Sequence, residues 1–368
     1  MTTLADILVR HGSEYLKRHD QNILPSHLRV MGDILSCRTE SMGGQTWFCC
    51  DCNQYHYSYH SCGNRHCPQC QNDRATVWLE KQEQLLLPVT YFMTTFTLPG
   101  QLRALAYAHQ KKVYNLFFKT SARALQDLAL DKRFVGGHIG MVGILQTWDR
   151  KKNYHPHIHY IVPGGGLSTD GKKWKRTNKN FLVHEIPLAK RFKGLFLKAL
   201  QKEGLYHLAP KSVWKKEWVC DVEPVGTGEA ALKYLAPYVF RVAISNRNIL
   251  SLKEGRVTFR YRESETNIWK TETLEAARFI RRFLMHVLPR GFVKVRYYGF
   301  LSTKKRKLIP KIKELLGILL SPVKKLSQKA SKPFCCPTCG RAMAFIGELP
   351  KKRAPPLWML RPQLQGTF

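Results

Sequence analysis

Side chains alternate most clearly in residues 154–162, which read Tyr-His-Pro-His-Ile-His-Tyr-Ile-Val before Pro163 and three glycines. Apolar and β-branched residues that end at a turn signal predict a strand. Because successive side chains on a strand point to opposite faces, His157 and His159 share one face, about 6–7 Å apart, and Ile158 points into the core. Two imidazoles on one face can hold one metal ion. An isolated pair of this kind is more often a surface strand that happens to carry histidines, but the surrounding sequence favours the metal site.

The segment before this strand predicts its hairpin partner. Residues 140–148 are apolar and contain no turn signal, and the polar loop 149–153 follows them. A turn centred near residues 151–152 places Gln146 opposite His157 and on the same face, whereas a slip of one residue would turn it away. Gln146 is therefore a candidate third metal ligand or a residue that orients His157. The alternative is a buried amide bonded to neighbouring backbone.

The order of the predicted elements indicates the fold class. Residues 91–99 form a predicted strand that ends at Pro-Gly, and residues 101–130 have the apolar spacing of one or two amphipathic helices. With the hairpin, the order is strand, helix, strand, strand. This order is typical of a compact α+β domain built on one sheet.

A helix predicted after the Gly-Thr-Gly-Glu segment carries two tyrosines. Tyr234 and Tyr238 are four residues apart and therefore share a helix face. Pro237 predicts a kink between them, and Lys233 and Arg241 add positive charge. Tyrosines at this spacing are usually core aromatics, so the spacing alone does not assign them a catalytic role.

The eleven cysteines predict metal sites rather than disulfides, because they are clustered in a chain without a secretion signal. The pairs Cys49/Cys52 and Cys67/Cys70 have the Cys-x₂-Cys spacing and predict one tetrahedral zinc site. Cys37 and Cys62, with one of the histidines at positions 56, 60 and 66, predict a second site, with packed thiols as the alternative.

A further Cys-x₂-Cys pair lies near the C-terminus, within residues 335–340. It is half of a zinc ribbon, and no second pair follows it. Either the partner ligands come from elsewhere in the chain or the site is incomplete.

Charge changes the picture of what the chain binds. Lys and Arg number 60 against 26 Asp and Glu, a net charge of +34 over 368 residues. Such a field favours nucleic acid as the partner, with an anionic membrane as the rival. The sequence shows no signal peptide and no apolar run of about 18 residues, so no membrane segment is predicted and the chain is expected in the cytoplasm. Arg65, Lys233 and Arg241 are the candidate DNA contacts nearest the predicted sites.

A cysteine-rich start, the His-Pro-His-Ile-His strand and the Tyr-x₃-Tyr helix, in this order, resemble the bacterial rolling-circle insertion-sequence transposases. These are the two-tyrosine HUH transposases of family ninety-one, which have an N-terminal zinc-binding domain. The resemblance covers residues 5–345. Pro237 and the C-terminal half-ribbon depart from the pattern of the family. Other stretches that resemble the family are residues 61–71, 95–99, 162–166, 241–246 and 282–289.

The resemblance implies an α+β fold: an HUH endonuclease domain with a central antiparallel, ferredoxin-like or RNA-recognition-like sheet and flanking helices. It implies His157 and His159 as ligands of Mg²⁺ or Mn²⁺, and Tyr234 and Tyr238 as nucleophiles that form a 5′-phosphotyrosine. Zinc would be structural. The implied partner is DNA, as single-stranded or hairpin element ends and as target DNA, near the bacterial nucleoid.

The predicted domains are a helical and zinc-binding DNA-contacting domain at 1–85, the catalytic domain at 88–300, and a basic tail with the half-ribbon at 301–368.

Three rival functions are open. A zinc-dependent DNA-binding regulator would not use the histidines, and a metal-dependent hydrolase would cut DNA without a covalent adduct. A replication initiator or relaxase of the HUH class would share the chemistry and act on other DNA.

Overall fold

The computed structural model describes residues 2–19, 23–70, 72–230, 232–233, 239, 243–263, 266–318 and 334–352. Within these residues the helices are α1 (Leu4–His19), α2 (Pro25–Ser36), α3 (Asn72–Glu83), α4 (Arg103–Ala108), α5 (Gln110–Leu130), α6 (Glu185–Lys202), α7 (Ala276–Leu284) and α8 (Ile309–Leu315). The strands are β1 (Gly44–Cys49), β2 (Gln54–Tyr59), β3 (Tyr91–Thr97), β4 (Met141–Trp148), β5 (Tyr154–Pro163), β6 (Gly165–Leu167), β7 (Trp174–Arg176), β8 (Cys220–Gly226), β9 (Ile249–Lys253), β10 (Arg256–Arg262), β11 (Trp269–Glu275), β12 (Val295–Tyr298) and β13 (Ala344–Leu349).

The largest sheet has five strands in the order β12-β4-β5-β3-β8, and every neighbouring pair is antiparallel. The histidine strand β5 lies at its centre. The predicted order of strand, helix, strand, strand is confirmed by β3, the α4–α5 segment and the β4–β5 hairpin. The chain is therefore an α+β protein with a central antiparallel sheet.

One face of this sheet is covered by α5 and α6. Ile158 and Tyr160 of β5 point to this side and are fully buried in the largest apolar cluster. Tyr160 lies against Gly143 of the neighbouring strand, where a Cβ atom would come within 2.4 Å of the tyrosine ring. The tyrosine hydroxyl lies 2.8 Å from Ser121 Oγ on α5. A glycine on β4 thus lets a large aromatic ring cross the sheet and join it to a helix.

The opposite face of the sheet has a different cover. Ile144 of β4 and Ile161 of β5 pack there with Ile312 of α8 and with Val239. His157 and His159 lie on this second face, because they share the strand parity of Ile161. The apolar residues of this face end where the histidines begin, which leaves the end of the sheet polar.

A second large apolar cluster joins the N-terminal helices to a distant part of the chain. Leu8 of α1 and Met31 of α2 pack in one core with Phe259 of β10 and Phe279 of α7. This core therefore contains residues from both the first and the second predicted domain. The predicted domain boundaries stay a prediction.

Two smaller sheets complete the described fold outside the short β6–β7 pair. The first has the order β11-β10-β9, and one of its faces contributes to the second core. The other has the order β13-β1-β2, so that a C-terminal strand pairs with an N-terminal hairpin.

Candidate functional site

The histidine pair lies on the central strand as its alternation predicts. The rings of His157 and His159 are 4.8 Å apart between centroids and nearly perpendicular. Gln146 is the cross-strand partner of His157, which confirms the predicted register of the hairpin. Its Oε1 lies 2.9 Å from His157 Nε2. Two imidazoles and an amide oxygen therefore converge at one end of the sheet, and their role as metal ligands stays a prediction.

Burial keeps both imidazoles neutral. Loss of solvent lowers the pKa of His157 to about 4 and that of His159 to about 3. At neutral pH both rings therefore offer lone pairs, which is the form that binds metal. The Thr95 hydroxyl lies 3.0 Å from His159 Nδ1 and orients that ring from the neighbouring strand β3.

The hydrogen bonds of His157 fit a cation. Its Nδ1 lies 2.7 Å from the carbonyl oxygen of His155, so the single proton of the neutral ring is on that nitrogen. Nε2 then presents a lone pair, and Gln146 Oε1 presents another at 2.9 Å. Two lone pairs that meet at one point form the donor set of a divalent ion bound by imidazole and oxygen. His157, His159 and Gln146 could thus hold Mg²⁺ or Mn²⁺.

These side chains open into a cavity of about 570 Å³. Asp149 and Arg150, from the β4–β5 turn, lie on its rim, so the site contains both a carboxylate and a guanidinium beside the histidines. The far wall is formed by Tyr261, Arg262 and Trp269, from the β10–β11 hairpin. The opening is polar, and Arg150, Lys152 and Arg262 give its lining an excess of positive charge over Asp149.

The cysteines form two four-sulfur clusters. We call the first, Cys37, Cys62, Cys67 and Cys70, the inner cluster, and the second, Cys49, Cys52, Cys336 and Cys339, the outer cluster. Within each cluster the four sulfurs lie within 4.8 Å of one another. Four thiolates at about 2.3 Å from one Zn²⁺ would lie about 3.8 Å apart, which is inside this limit. Both clusters therefore have the donor set and spacing of a structural zinc site.

The predicted grouping of the cysteines is wrong. Cys49/Cys52 and Cys67/Cys70 were expected to share one ion, but they belong to different clusters. Cys37 and Cys62 complete the inner cluster without a histidine, so the expected mixed site is also wrong. The physical reason is that β1 pairs with β13 on one side and with β2 on the other, which places Cys49 and Cys52 next to the C-terminal cysteines.

The half-ribbon near the C-terminus finds its partner ligands elsewhere in the chain, one of the two predicted outcomes. Cys336 Sγ lies 3.9 Å from Cys52 Sγ, and Cys339 Sγ lies 3.6 Å from Cys49 Sγ. Sequence reasoning missed these two residues as ligands of the N-terminal sheet. The number of cysteines could have indicated this. Three Cys-x₂-Cys pairs together with Cys37 and Cys62 make eight ligands, which is enough for two sites of four.

Comparison with known proteins finds transposase families for both the zinc-binding region and the region of the central sheet. Residues 7–98 match the family described as "Transposase zinc-binding domain", of the IS91 type, and residues 140–308 match the family described as "Putative transposase". The chain is 36% identical over 336 residues to "Putative transposase y4qJ" of Sinorhizobium fredii, which covers 86% of this chain and 84% of the relative. The chain belongs to the IS91-type transposases.

A second relative of this transposase is more distant. The "Transposase for insertion sequence element IS801" of Pseudomonas savastanoi pv. phaseolicola is 25% identical over 347 residues, which is 86% of this chain and 82% of the relative. No solved structure shows a significant match. The zinc-binding match includes the whole inner cluster, whereas neither family match reaches Cys336 and Cys339.

The predicted nucleophiles Tyr234 and Tyr238 and the predicted DNA contact Arg241 lie outside the described residues. Lys233, the neighbouring predicted contact, is exposed. Arg65 donates a hydrogen bond of 2.6 Å to the carbonyl oxygen of Phe292, so part of its guanidinium joins the zinc-binding loop to the transposase domain. A role of Arg65 and Lys233 in DNA binding stays a prediction.

His66 has a structural role rather than the metal-ligand role expected for one of the three nearby histidines. Its Nε2 accepts a hydrogen bond from the backbone N–H of Leu288, at 3.2 Å. Burial lowers the pKa of His66 to about 3, which keeps the ring neutral and able to accept this bond.

Within the described residues of this transposase, no helix has the length and apolar character needed to cross a membrane.

Proposed function

We propose that this transposase cleaves and rejoins single-stranded DNA at insertion-sequence ends through a 5′-phosphotyrosine intermediate. The observation that carries the proposal is the convergence of His157, His159 and Gln146 on the central strand pair, at the mouth of a cavity. A purely DNA-binding protein has no need of two neutral, buried imidazoles at the edge of a polar opening. The family membership supports DNA as the partner.

The three side chains would hold Mg²⁺ or Mn²⁺. Such an ion, when bound, offsets the negative charge of the phosphodiester and stabilises the oxygen that leaves. The protein's contribution is position: β4 and β5 hold the donor atoms rigidly, and Thr95 and the His155 carbonyl oxygen fix the ring orientations.

The covalent step uses Tyr234 or Tyr238 as the nucleophile. The phenol loses its proton, its oxygen attacks phosphorus, and the bond to the 3′ oxygen breaks. The 3′ oxygen of the upstream fragment takes up a proton. The 5′ phosphate of the downstream fragment remains bound to the tyrosine as a phosphotyrosine ester. Because the ester retains the bond energy of the phosphodiester, a free 3′ hydroxyl can reverse the step and rejoin DNA without ATP. Two tyrosines allow a second strand to be cut while the first is attached.

Val239 supports the placement of this chemistry. It follows Tyr238 directly in the sequence, is buried, and packs with Ile144 and Ile161 on the histidine face of the sheet. Lys294 donates a hydrogen bond of 3.4 Å to its carbonyl oxygen. We further propose that the five-stranded sheet, with β5 central and α5 and α6 on one face, is an HUH domain.

The two cysteine clusters are proposed to hold structural Zn²⁺, one ion each. Arg65, Lys233 and Arg241 are proposed DNA contacts, in keeping with the high net positive charge of the chain. Action on element ends and target DNA would take place in the bacterial cytoplasm, at the nucleoid.

The decisive experiment uses a single-stranded oligonucleotide that spans the element's own end, labelled at its 3′ end, with Mn²⁺ or Mg²⁺. We expect a labelled protein–DNA adduct on a denaturing gel, and with a 5′ label a shorter free fragment. EDTA and His157→Ala should both abolish the adduct. His184→Ala removes an exposed histidine at the start of α6 and should leave the adduct unchanged.

Tyr234→Phe and Tyr238→Phe then assign the first nucleophile, because only the hydroxyl is removed. Cleavage without any adduct would show a water-using hydrolase instead. DNA binding without cleavage or adduct would show a zinc-dependent binding protein and would contradict the proposal.

A further inference from the structure

The outer face of the β9–β11 sheet carries positive charge next to the histidine cavity. Along β10, the side chains of Val257, Phe259 and Tyr261 are buried, and the alternating residues point to the other side. On that side lie Arg260 and Arg262, together with hydroxyls. The side chains of Thr258 and Thr273 bond each other there at 2.9 Å. Guanidinium and hydroxyl groups on an open sheet face are the donors that contact a nucleic-acid backbone.

One exposed aromatic ring lies in the middle of this charge. Trp269 of β11 is the cross-strand partner of Arg262, and half of its surface is exposed. The guanidinium carbon of Arg260 lies 4.8 Å from the centroid of a Trp269 ring, and that of Arg262 lies 5.4 Å away. Both guanidiniums lie over this ring, and the part of the ring that stays exposed to water at the edge of the cavity is a platform on which a base can stack.

The guanidiniums of Arg260 and Arg262 are not offset by ion pairs within the part of the chain that the structure describes. Among the described residues, no carboxylate forms an ion pair with Arg260 or Arg262, and Arg260 is held by the Asn248 side-chain oxygen at 3.4 Å. On the inner face of the same hairpin, by contrast, Glu272 pairs with Arg282 at 2.9 Å. Two guanidiniums beside one ring repel each other, and an anion such as a phosphate would relieve that repulsion.

The outer face leads directly into the candidate active site. Arg262, Trp269 and Asn248 line the cavity that His157 and His159 also line. The histidines belong to the five-stranded sheet, and the β10–β11 hairpin belongs to the β9–β11 sheet. The cavity therefore has walls from two different sheets. One wall offers the candidate metal ligands, and the other offers a ring and cations.

We propose that the β10–β11 hairpin is the subsite that holds the single DNA strand beside the scissile phosphate. Trp269 stacks on one unpaired base, and Arg260 and Arg262 bind the flanking backbone phosphates. The occupant is a single strand because bases inside a duplex are stacked on each other and cannot cover the ring. This inference rests on the proposed function, since it assumes that the strand at the histidines is DNA.

The test measures equilibrium binding without divalent metal, by fluorescence anisotropy, so that no cleavage is needed. The probes are labelled 20-nucleotide oligodeoxythymidine and a strand of equal length built only of abasic residues. Trp269→Ala should weaken oligodeoxythymidine binding about 5-fold or more, the lower end of what one base–aromatic stack contributes. It should leave the abasic strand within about 2-fold of wild type, because that strand has no base to stack. Trp269→Phe should recover part of the loss.

The arginines have a different signature. Arg260→Ala and Arg262→Ala should weaken both probes and reduce the slope of log affinity against log salt by about 0.7 for each lost phosphate contact. Trp269→Ala should leave that slope unchanged. Lys190→Ala is the matched control, because it removes an exposed cation on α6, which packs on the other face of the main sheet. It should change neither the affinity nor the slope.

Equal loss of both probes with Trp269→Ala would overturn the stacking assignment, and wild-type binding by the three hairpin variants would overturn the subsite. Preservation of the thermal midpoint in each variant shows that folding is not the cause. A wild-type protein that forms no adduct but shows these binding effects would contradict the proposed function only. A protein that forms the adduct but is insensitive to hairpin variants would contradict this inference only.

Discussion

The inner and outer clusters each consist of four cysteines, but their surroundings are very different. Three inner cysteines, Cys37, Cys67 and Cys70, belong to the large core that also contains α1, α2 and α7. The outer cluster belongs to a small core with Met343 and Trp47, and its Cys339 is exposed. The inner ligands span 34 residues of sequence, from 37 to 70, whereas Cys52 and Cys336 are 284 residues apart.

Sites with the same kind of ligands therefore have two different structural roles in this chain. At the inner cluster the zinc-binding loop is part of the second core, and Arg65 and His66 join it to the transposase domain. At the outer cluster the sulfurs connect two ends of the chain, supported by the pairing of β1 with β13. Loss of the inner ion should therefore affect the whole fold, and loss of the outer ion should affect the C-terminal ribbon.

The largest effect is expected for Cys67→Ser. It removes a fully buried ligand of the inner cluster, so the remaining thiols lose their ion and the second core loses its zinc-bound edge. We expect loss of about one zinc equivalent and destabilisation by several kcal/mol, comparable to loss of other structural metal sites. Elemental analysis and thermal unfolding measure the two quantities.

Cys50→Ala is the control for this variant. Cys50 lies between two outer ligands but is exposed and belongs to neither cluster. It should keep both zinc equivalents and the wild-type thermal midpoint. A Cys67→Ser protein with full zinc content would contradict the assignment of the inner cluster.

The second effect is local. The double variant Cys336→Ser and Cys339→Ser should also lose about one zinc equivalent, but with little change in the main unfolding transition. Amide hydrogen exchange should accelerate in residues 334–352 and in β1, while β4 and β5 stay protected. Global loss of protection would remove the contrast between the two clusters.

The two clusters should release their zinc ions at different pH values when the protein is acidified. In each cluster the first proton is lost easily and the others are not: backbone N–H groups of Cys339 and Thr338 lower the pKa of Cys336, and hydrogen bonds from neighbouring thiols lower the pKa of Cys37, while neighbouring thiols raise the pKa of Cys52 and of Cys62. Because only the thiolate binds zinc, protons compete with the ion for the sulfurs, and zinc binding weakens as the pH falls.

We expect two steps of zinc release on acidification, with the outer ion leaving first, because Cys339 of the outer cluster is exposed whereas Cys37, Cys67 and Cys70 of the inner cluster are buried. A chromogenic zinc indicator tolerant of low pH, read after filtration, follows both steps. The first step should be missing in the Cys336→Ser/Cys339→Ser variant. A single step for the wild-type protein would show that the two clusters do not differ in this respect.

The smallest effect is expected for Arg341→Ala. Arg341 forms an ion pair of 2.7 Å with Asp51 across the outer cluster, but both side chains are largely solvent-accessible. Exposed pairs of this kind contribute about 0–1 kcal/mol. Zinc content should stay at the wild-type value, and exchange in residues 334–352 should rise only slightly. Loss of the outer ion in this variant would show that the ion pair, rather than the sulfurs, holds the ribbon.

Local pattern predicted the histidine strand, its hairpin partner and the register between them. Period-two alternation decides which side chains share a face, and the length of the turn decides which residues lie opposite. This is why Gln146 was placed beside His157 correctly. The same local reasoning predicted zinc from the Cys-x₂-Cys pairs but grouped them by closeness in sequence, and that grouping failed.

The amino-acid sequence by itself determined the residue types at each site, the short turns that aim paired sulfurs, and the faces of single strands, because these depend on a few neighbouring residues. The tertiary structure decided which cysteine pairs meet, and it brought the β10–β11 hairpin to the histidine cavity. Neither contact has a local signal. Each depends on how sheets far apart in sequence pack and pair, and that is set by burial of whole faces rather than by the spacing of the ligands.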